Sequence, residues 1–489
     1  MSSPTPRTHY RITYVVLCIG VSSFALLQSL VNPVLPTIQD RLRTDQSTVS
    51  WVLTAYLLSA SVCTPIIGRI GDKVGKQRML VVALSALATG SLLAALAPSI
   101  GVLIVARAIQ GIGGGVLPLT FGIIRDEFPR ERAAAAVGTT GALVAAGGGV
   151  GLMLAGPVVS ALGYRWLFWT PMIITVVAAV AAAIVVPSSP DRTPGKINLG
   201  TTLLLSAWLV ALLLGVSQGS VWGWSSGRIL GLLAAAAVLL VVWIVCESRS
   251  EQPLVNMAMM RIPTVWTVNL TALLFGIGMY SVFALLPQLL QTPQNTGYGL
   301  GLSVTGAGVL LLGQTAGSFI GGILAGRLTA RVGSKPQLVA GAGLSALGML
   351  CLTVSHTEPW SVMVGSTLVG LAIGLAFAAM SNLVVQAVPP TQTGVASGMN
   401  ANIRTIGGAL GTALVTTVVT NNMRSDGYPD ASGYTHGFLL LAITSALATG
   451  VALRVPGTRT NRHSNAPHPP LLRPSQARRA HSDPARETH

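Results

Sequence analysis

One apolar run of about twenty residues follows another along this chain, with only brief polar breaks between them. That is the length a helix needs to cross the hydrocarbon core of a bilayer. Fourteen such runs are predicted, at 12–38, 47–67, 79–97, 100–124, 133–162, 165–187, 198–217, 228–246, 264–290, 303–326, 336–355, 359–384, 393–420 and 435–454. Charged residues make up 9% of the sequence, against roughly 25% in soluble domains, so no separate soluble domain is expected. Glycine occupies 55 of 489 positions, which suits close approach of helices in lipid. Pro33 and Pro36 should break or kink the first run near its end.

The exception to the scarcity of charge is GRIGDKVGKQR at 68–78, a basic, glycine-punctuated turn between the second and third runs. An echo, GILAGRLTARVGSK, stands half a chain later at 322–335. A charged turn that recurs in this way points to a duplicated membrane protein. Lys and Arg also set orientation, since they accumulate on the cytoplasmic side. With both termini cytoplasmic, the inner segments hold 23 of the 30 basic residues and the outer loops 5; Arg107 and Arg404 lie inside apolar runs. Without the C-terminal tail the bias is still 16 to 5. The net charge of +16 invites a nucleic-acid partner; the confinement of basic residues to membrane loops and the tail argues against one.

Cys18, Cys63, Cys246 and Cys351 lie in or beside apolar runs with no CxxC spacing, so no metal or redox use is expected. The first run is too long for a signal-peptide core, and no A-x-A site follows it, so a cleaved signal is not expected. The segment 247–263, ESRSEQPLVNMAMMRIP, reads as a short amphipathic helix in the inner interface. The tail from Pro456, rich in Pro, Ser, Arg and His, reads as disordered; its arginines either touch anionic lipid or are simply solvated.

Several motifs together resemble the major facilitator superfamily, and within it the fourteen-helix drug:proton antiporters, over roughly residues 10–455. The turn at 68–78 resembles the superfamily signature Gly-x-Leu-Ala-Asp-Arg-x-Gly-Arg-Lys/Arg, with Gly68, Asp72, Lys73, Gly75, Lys76 and Arg78 on matching positions and Ile70 and Gly71 as mild departures. The resemblance implies a conformational latch. Asp72 would accept from a neighbouring helix N-terminus or an arginine and tie the two halves together in one state of the cycle. A loop that only fixes topology is the simpler alternative.

In the fourth run, ARAIQGIGGG resembles Arg-x-x-Gln-Gly, with Arg107, Gln110 and Gly111 matching. A mid-membrane arginine costs about 2.5–3.5 kcal/mol on insertion scales and should face the bundle interior. There it would bind an anionic or polar group, modulate a proton site, or merely cap carbonyls. In the fifth run, Gly147, Gly151 and Gly156 resemble the antiporters' glycine pattern, and Gly163, Tyr164, Arg165 and Trp166 their second block. Leu152 stands where that pattern has proline, and a Gly156-Pro157 pair follows later, so the kink is expected to be displaced. Trp51 and Tyr56 also match, and AVPPTQTGVASGMNANIRTIGGALG resembles the stretch into helix thirteen. The first run has Leu27 where the family carries an aspartate, although Asn32, Leu35 and Pro36 align.

None of the fourteen acids sits deep inside an apolar run, although proton coupling is simplest with an intramembrane carboxylate. Three readings stay open: coupling through acids nearer the ends (Asp40 outside, Asp72 or Asp126 inside), exchange of an anionic substrate at Arg107 or Arg404, or uncoupled transport. A lipophilic dication would find no buried carboxylate, so neutral or weakly anionic amphiphiles are the better expected cargo. Polar residues expected to line the cavity are Gln28, Asn32, Arg107, Gln110, Asn269, Gln288, Gln314, Asn382, Asn400, Asn402 and Arg404, because each is costly to turn toward lipid.

An enzyme is the first rival. GVSQG at 215–219 satisfies Gly-x-Ser-x-Gly, but a nucleophile elbow needs a strand-to-helix turn with His and Asp partners. A non-transporting membrane sensor or scaffold is the second, and it would not need polar groups in both halves. An uncoupled or anion-type facilitator of a metabolite is a third alternative. The expectation is an all-α polytopic membrane protein of the major facilitator fold, with 14 transmembrane helices. It divides into a cytoplasmic N-terminus (1–11), an N-terminal six-helix bundle (12–187), two inserted helices (188–263), a C-terminal six-helix bundle (264–455) and the tail (456–489). Its expected role is proton-coupled export of drug-like molecules or antibiotics as a monomer in the cytoplasmic (inner) membrane, with no cofactor or metal.

Overall fold

The computed structural model describes residues 10–31, 34–188, 198–425 and 427–456. Within them lie fourteen long helices and no strand beyond an isolated bridge. They are α1 (Tyr10–Leu30), α2 (Gln46–Val74), α3 (Lys76–Leu96), α4 (Ile100–Glu127), α5 (Arg130–Leu162), α6 (Trp166–Val185), α7 (Leu199–Ser217), α8 (Gly227–Arg249), α9 (Pro263–Gln291), α10 (Thr305–Val332), α11 (Ser334–Val354), α12 (Pro359–Ala387), α13 (Thr393–Thr420) and α14 (Ala431–Leu453). Thirteen are long and apolar enough to cross a membrane by length and composition; α5, with 33 residues, is the other long helix.

The duplication shows in the packing. In the first half α1 packs on α5 and α6, α3 on α4 and α6, and α2 on α4. Eight helices later α9 packs on α13 and α14, α11 on α12 and α14, and α10 on α12. The halves meet along two seams, α2 against α13 and α5 against α10 and α12. Helices α7 and α8 pack on each other, and α7 lies against both α2 and α13. With little hydrophobic drive between helices in lipid, small residues bring backbones together. A methyl on Gly68 would stand 2.6 Å from the carbonyl oxygen of Gly394, and a methyl on Gly394 would stand 2.6 Å from that of Gly68. At the other seam Gly138 faces Ala378, and Gly326 faces Ala135.

Three local expectations are corrected. The 68–78 turn is almost wholly helix: α2 runs to Val74, α3 begins at Lys76, and only Gly75 turns the chain, at φ +123°. Its echo behaves alike, with Gly333 at φ +87° between α10 and α11. Charge at a helix end needs no loop, because the ends of α2 and α10 carry basic residues without losing backbone bonds. Alanine at Gly75 or Gly333 should therefore cost about 1–3 kcal/mol of backbone strain, read as a lower thermal unfolding temperature in detergent.

The first helix is shorter than the run 12–38, although the break near the end of that run is the one expected from Pro33 and Pro36. Helix α1 ends at Leu30, and a separate seven-residue helix, Leu35–Arg41, follows with proline in its first turn. The 247–263 segment holds only a four-residue helix, Met257–Met260. Its apolar residues Leu254, Val255 and Met259 are buried in the protein core, not laid on an interface. Glu247 accepts the Val255 amide at 2.6 Å, and the Arg69 guanidinium donates to the Pro253 carbonyl at 3.0 Å, so the loop is folded back onto the bundle. The expected disordered tail lies outside the described residues from 457 onward.

Candidate transport site

Where α2 and α13 cross, Asp72 is 1% exposed. Its carboxylate accepts the backbone N–H of Gly394 at 3.2 Å and of Val395 at 3.1 Å. Those amides belong to the first turn of α13, where unpaired N–H groups and the helix dipole favour a negative charge. One turn earlier on α2, Gly68 lets the two backbones meet. Beside this crossing, Lys76 and Asp126 form a buried ion pair at 2.8 Å between α3 and α4. Arg125 reaches across to the second half, donating to Thr393 Oγ1 at 2.6 Å and to the Val388 carbonyl at 2.9 Å. Arg78 is exposed and Lys73 is half-buried.

Away from this crossing the halves part around a cavity. Along α13 the lining residues progress from Ser397 and Asn400, in a void of about 10 Å³, through Ala401, Asn402 and Arg404, in one of about 70 Å³, to Thr405, Gly408, Thr412 and Thr416, in one of about 390 Å³. The space therefore widens with distance from Asp72. Helix α2 contributes Leu53, Thr54, Tyr56, Leu57, Ser61 and Thr64, and α7 contributes Val216 and Ser217. A side arm of about 160 Å³ is lined by Ala25, Gln28, Val144, Met279, Tyr280, Phe283, Ile373 and Phe377. Gln28 and Tyr280 border all three of the larger spaces.

Two arginines face this cavity. Arg107 is fully buried, its Nε donates to the Val52 carbonyl at 3.1 Å, and its Nη1 donates to Gln110 Oε1 at 2.7 Å. Gln110 in turn donates to Ser91 Oγ at 3.0 Å. The guanidinium lies over the Tyr56 ring at 4.3 Å, a cation–π contact that part-compensates for lost hydration. Gly111 permits this arrangement, since a methyl there would stand 2.5 Å from the Cβ of Ser59. Arg404, in the second half, lies over the Phe377 ring at 3.8 Å. Among the described residues no carboxylate comes within ion-pair distance of either arginine.

The predicted residues fall in different places. Gln28, Arg107, Asn402 and Arg404 line the two principal cavity spaces, and Asn400 the smallest void. Asn269 accepts from the Asn400 amide at 2.9 Å and sits behind it. Gln314 and Asn382 are buried but do not border these cavities. Gln288 is exposed, and so is Asp40, at the end of the short Leu35–Arg41 helix. Asn32 lies outside the described residues. Gly147 and Gly151 press α5 onto α1 at Ala25 and Ser29, while Gly156 is half-buried and Pro157 faces outward inside α5. Sequence reasoning missed Tyr280, Phe377, Ser61 and the bridging Arg125. The aromatics were legible only as polar or bulky breaks in apolar runs, and Arg125 as the neighbour of Asp126.

A profile described as Major Facilitator Superfamily matches residues 17–295 and 268–485, which together span most of the sequence. The chain belongs to the Major Facilitator Superfamily. It is therefore a membrane transporter rather than an enzyme, and Ser217 of the GVSQG segment lies at the end of α7, bonded to the Leu214 carbonyl. The multidrug transporter protein MdtP of Bacillus subtilis is 27% identical over 429 residues, covering 87% of this chain and 78% of that one. The tetracenomycin C resistance and export protein of Streptomyces glaucescens is 28% identical over 431 residues, covering 86% and 77%. The crystal structure of the human organic anion transporter MFSD10 superposes with a TM-score of 0.63 at 15% identity, covering 92% of this chain and 100% of that one. At that identity the likeness concerns the fold.

Proposed function

We propose that this transporter exports drug-like small molecules across the cytoplasmic membrane by alternating access, coupled to the proton gradient and working as a monomer. In this reading residues 68–78 and both termini face the cytosol. The bias of 23 basic residues to 5 supports that orientation. The names of the bacterial relatives, a multidrug transporter and a tetracenomycin C resistance and export protein, support the cargo class.

The observation that carries the proposal is the pairing of one closed end with one widening cavity. Asp72 and the first turn of α13 close the two halves at the basic face, while side chains from both halves wall a space that enlarges toward the other. Read with the proposed orientation, this is the conformer from which cargo leaves the cell. Rocking the halves about the α5–α10 seam parts Gly68 from Gly394, breaks both bonds to Asp72 and opens the same cavity to the cytosol. Asp72 is the favoured coupling group, because two of the bonds between the halves run through its charge: a proton added there weakens the acceptor and favours release of the closed state. Asp126 is tied to Lys76 within the first half, and Asp40 is exposed. The expected domain boundaries at 187 and 264 fit this motion as rigid halves, with α7 and α8 between them.

The test is accumulation of a fluorescent drug-like dye in cells that express the protein. Accumulation should fall several-fold, and a protonophore should erase the difference. No difference in accumulation would overturn export, and a difference that survives the protonophore would overturn coupling.

A further inference from the structure

We infer that the cavity is a binding site for amphipathic anions, in which the buried donors of the central space take the acidic head and the apolar side arm takes the body. The inference deepens the export reading by naming its substrate class, and it rests on a different observation. Four residues that line the central space carry buried polar atoms with no partner among the described residues: Tyr56 Oη, Ser61 Oγ, the Asn402 amide and Arg404 Nε; Arg107 Nη2, of a residue on the adjoining larger space, has none either. Their residues are all at most 4% exposed.

The balance of these groups selects an anion. The Arg404 guanidinium, two hydroxyls and an amide supply donors there, the Arg107 guanidinium lies on the adjoining space, and no carboxylate accompanies them. A charge held out of water is costly unless it is paired and bonded. Stacking on Tyr56 and Phe377 offsets part of that cost but satisfies no N–H. An incoming carboxylate, sulfonate or phenolate supplies both the counter-charge and the acceptors, whereas a cation would add a second positive charge beside Arg404. The unpartnered groups of the central space come from opposite halves, Tyr56 and Ser61 from α2 and Asn402 and Arg404 from α13, so a single anionic head there contacts both elements that move. The side arm at Met279, Phe283, Ile373 and Phe377 is apolar and meets the central space at Gln28 and Tyr280, which fits an aromatic or aliphatic body joined to that head.

The experiment uses the full-length protein in nanodiscs and two probes with the same apolar body: 8-anilinonaphthalene-1-sulfonate and its uncharged analogue N-phenyl-1-naphthylamine. Ethidium is the cationic comparison. Binding above that of empty nanodiscs should favour the sulfonate over the neutral analogue by at least about tenfold, as charge-assisted bonds in a buried site require. Arg404→Gln should remove that preference by weakening the sulfonate at least about tenfold more than the neutral probe, while Arg404→Lys should restore part of it. Equal affinity for the two analogues, or preference for ethidium, would overturn the inference. So would equal loss of both analogues in Arg404→Gln with the folded protein retained, since that marks a structural arginine. Ethidium efflux driven by protons without sulfonate binding would leave export standing and sink this inference; sulfonate binding without flux of any probe would do the reverse.

Discussion

Asp72→Asn is expected to stall transport while leaving the amount of folded protein unchanged. Asparagine keeps the shape and one acceptor, but it loses the charge that strengthens both bonds to the first turn of α13. Charge-assisted bonds contribute about 1.5–3 kcal/mol, so the ratio of the two conformers shifts roughly 10- to 150-fold away from the state closed at the basic face. Initial efflux rates in proteoliposomes should fall at least ~10-fold on this arithmetic. Gly68→Val should act in the same direction by another route, since its side chain meets the Gly394 backbone and that contact cannot move aside without separating α2 from α13. Unchanged efflux in both variants would mean that the crossing only packs the bundle.

The second large effect concerns stability. Lys76→Met removes the cation from a pair whose members are 1% and 5% exposed. It leaves Asp126 as a buried carboxylate without its ammonium partner, which costs about 3–5 kcal/mol. The double variant Lys76→Met/Asp126→Leu, which removes both charges and keeps similar volume, should recover most of that loss. Denaturant unfolding in detergent micelles reads both. A single variant as stable as the parent protein would show that water or another group takes over the carboxylate.

The contrast between the two pairs explains how much of this molecule was legible in its sequence. The helices were legible because lipid imposes one simple rule, about twenty apolar residues per crossing, and each of the fourteen predicted runs corresponds to a long helix. Their ends were less so. The charged stretch at 68–78 looked like a loop, yet a single glycine turns the chain there, since helix and loop carry charge equally well outside the hydrocarbon core. The motif containing Asp72 left two kinds of partner open, a helix N-terminus or an arginine, and did not say which helix. That partner lies 322 positions away, and only tertiary packing brings it near.

The cavity was the hardest part to read. A polar residue in an apolar run must turn away from lipid, but that rule does not say whether it meets substrate, another side chain or a backbone carbonyl. Asn269 and Asn400 satisfy each other, Gln314 and Asn382 are buried away from the cavity, and Gln288 is exposed. Asn402 and Arg404, two and four positions after Asn400, line the central space instead. Tyr280 and Phe377 went unpredicted because an aromatic in a membrane helix looks the same whether it faces a neighbour or a void. The 247–263 segment misled for a related reason. Its mixture of charge and methionine fits an interfacial helix, but Glu247 and Arg69 bond to its backbone and fold it against the protein.

The central claim is that the two halves separate and rejoin at the α2–α13 crossing under the control of Asp72. The most direct measurement is the distance between spin labels at Val74→Cys and Gln386→Cys, both exposed positions on the basic face, by pulsed electron resonance in a background without the four native cysteines. The account predicts two populations of distance, a short one that dominates when Asp72 is intact and a longer one that takes over in Asp72→Asn. A single distance distribution, unchanged by that substitution, would contradict it.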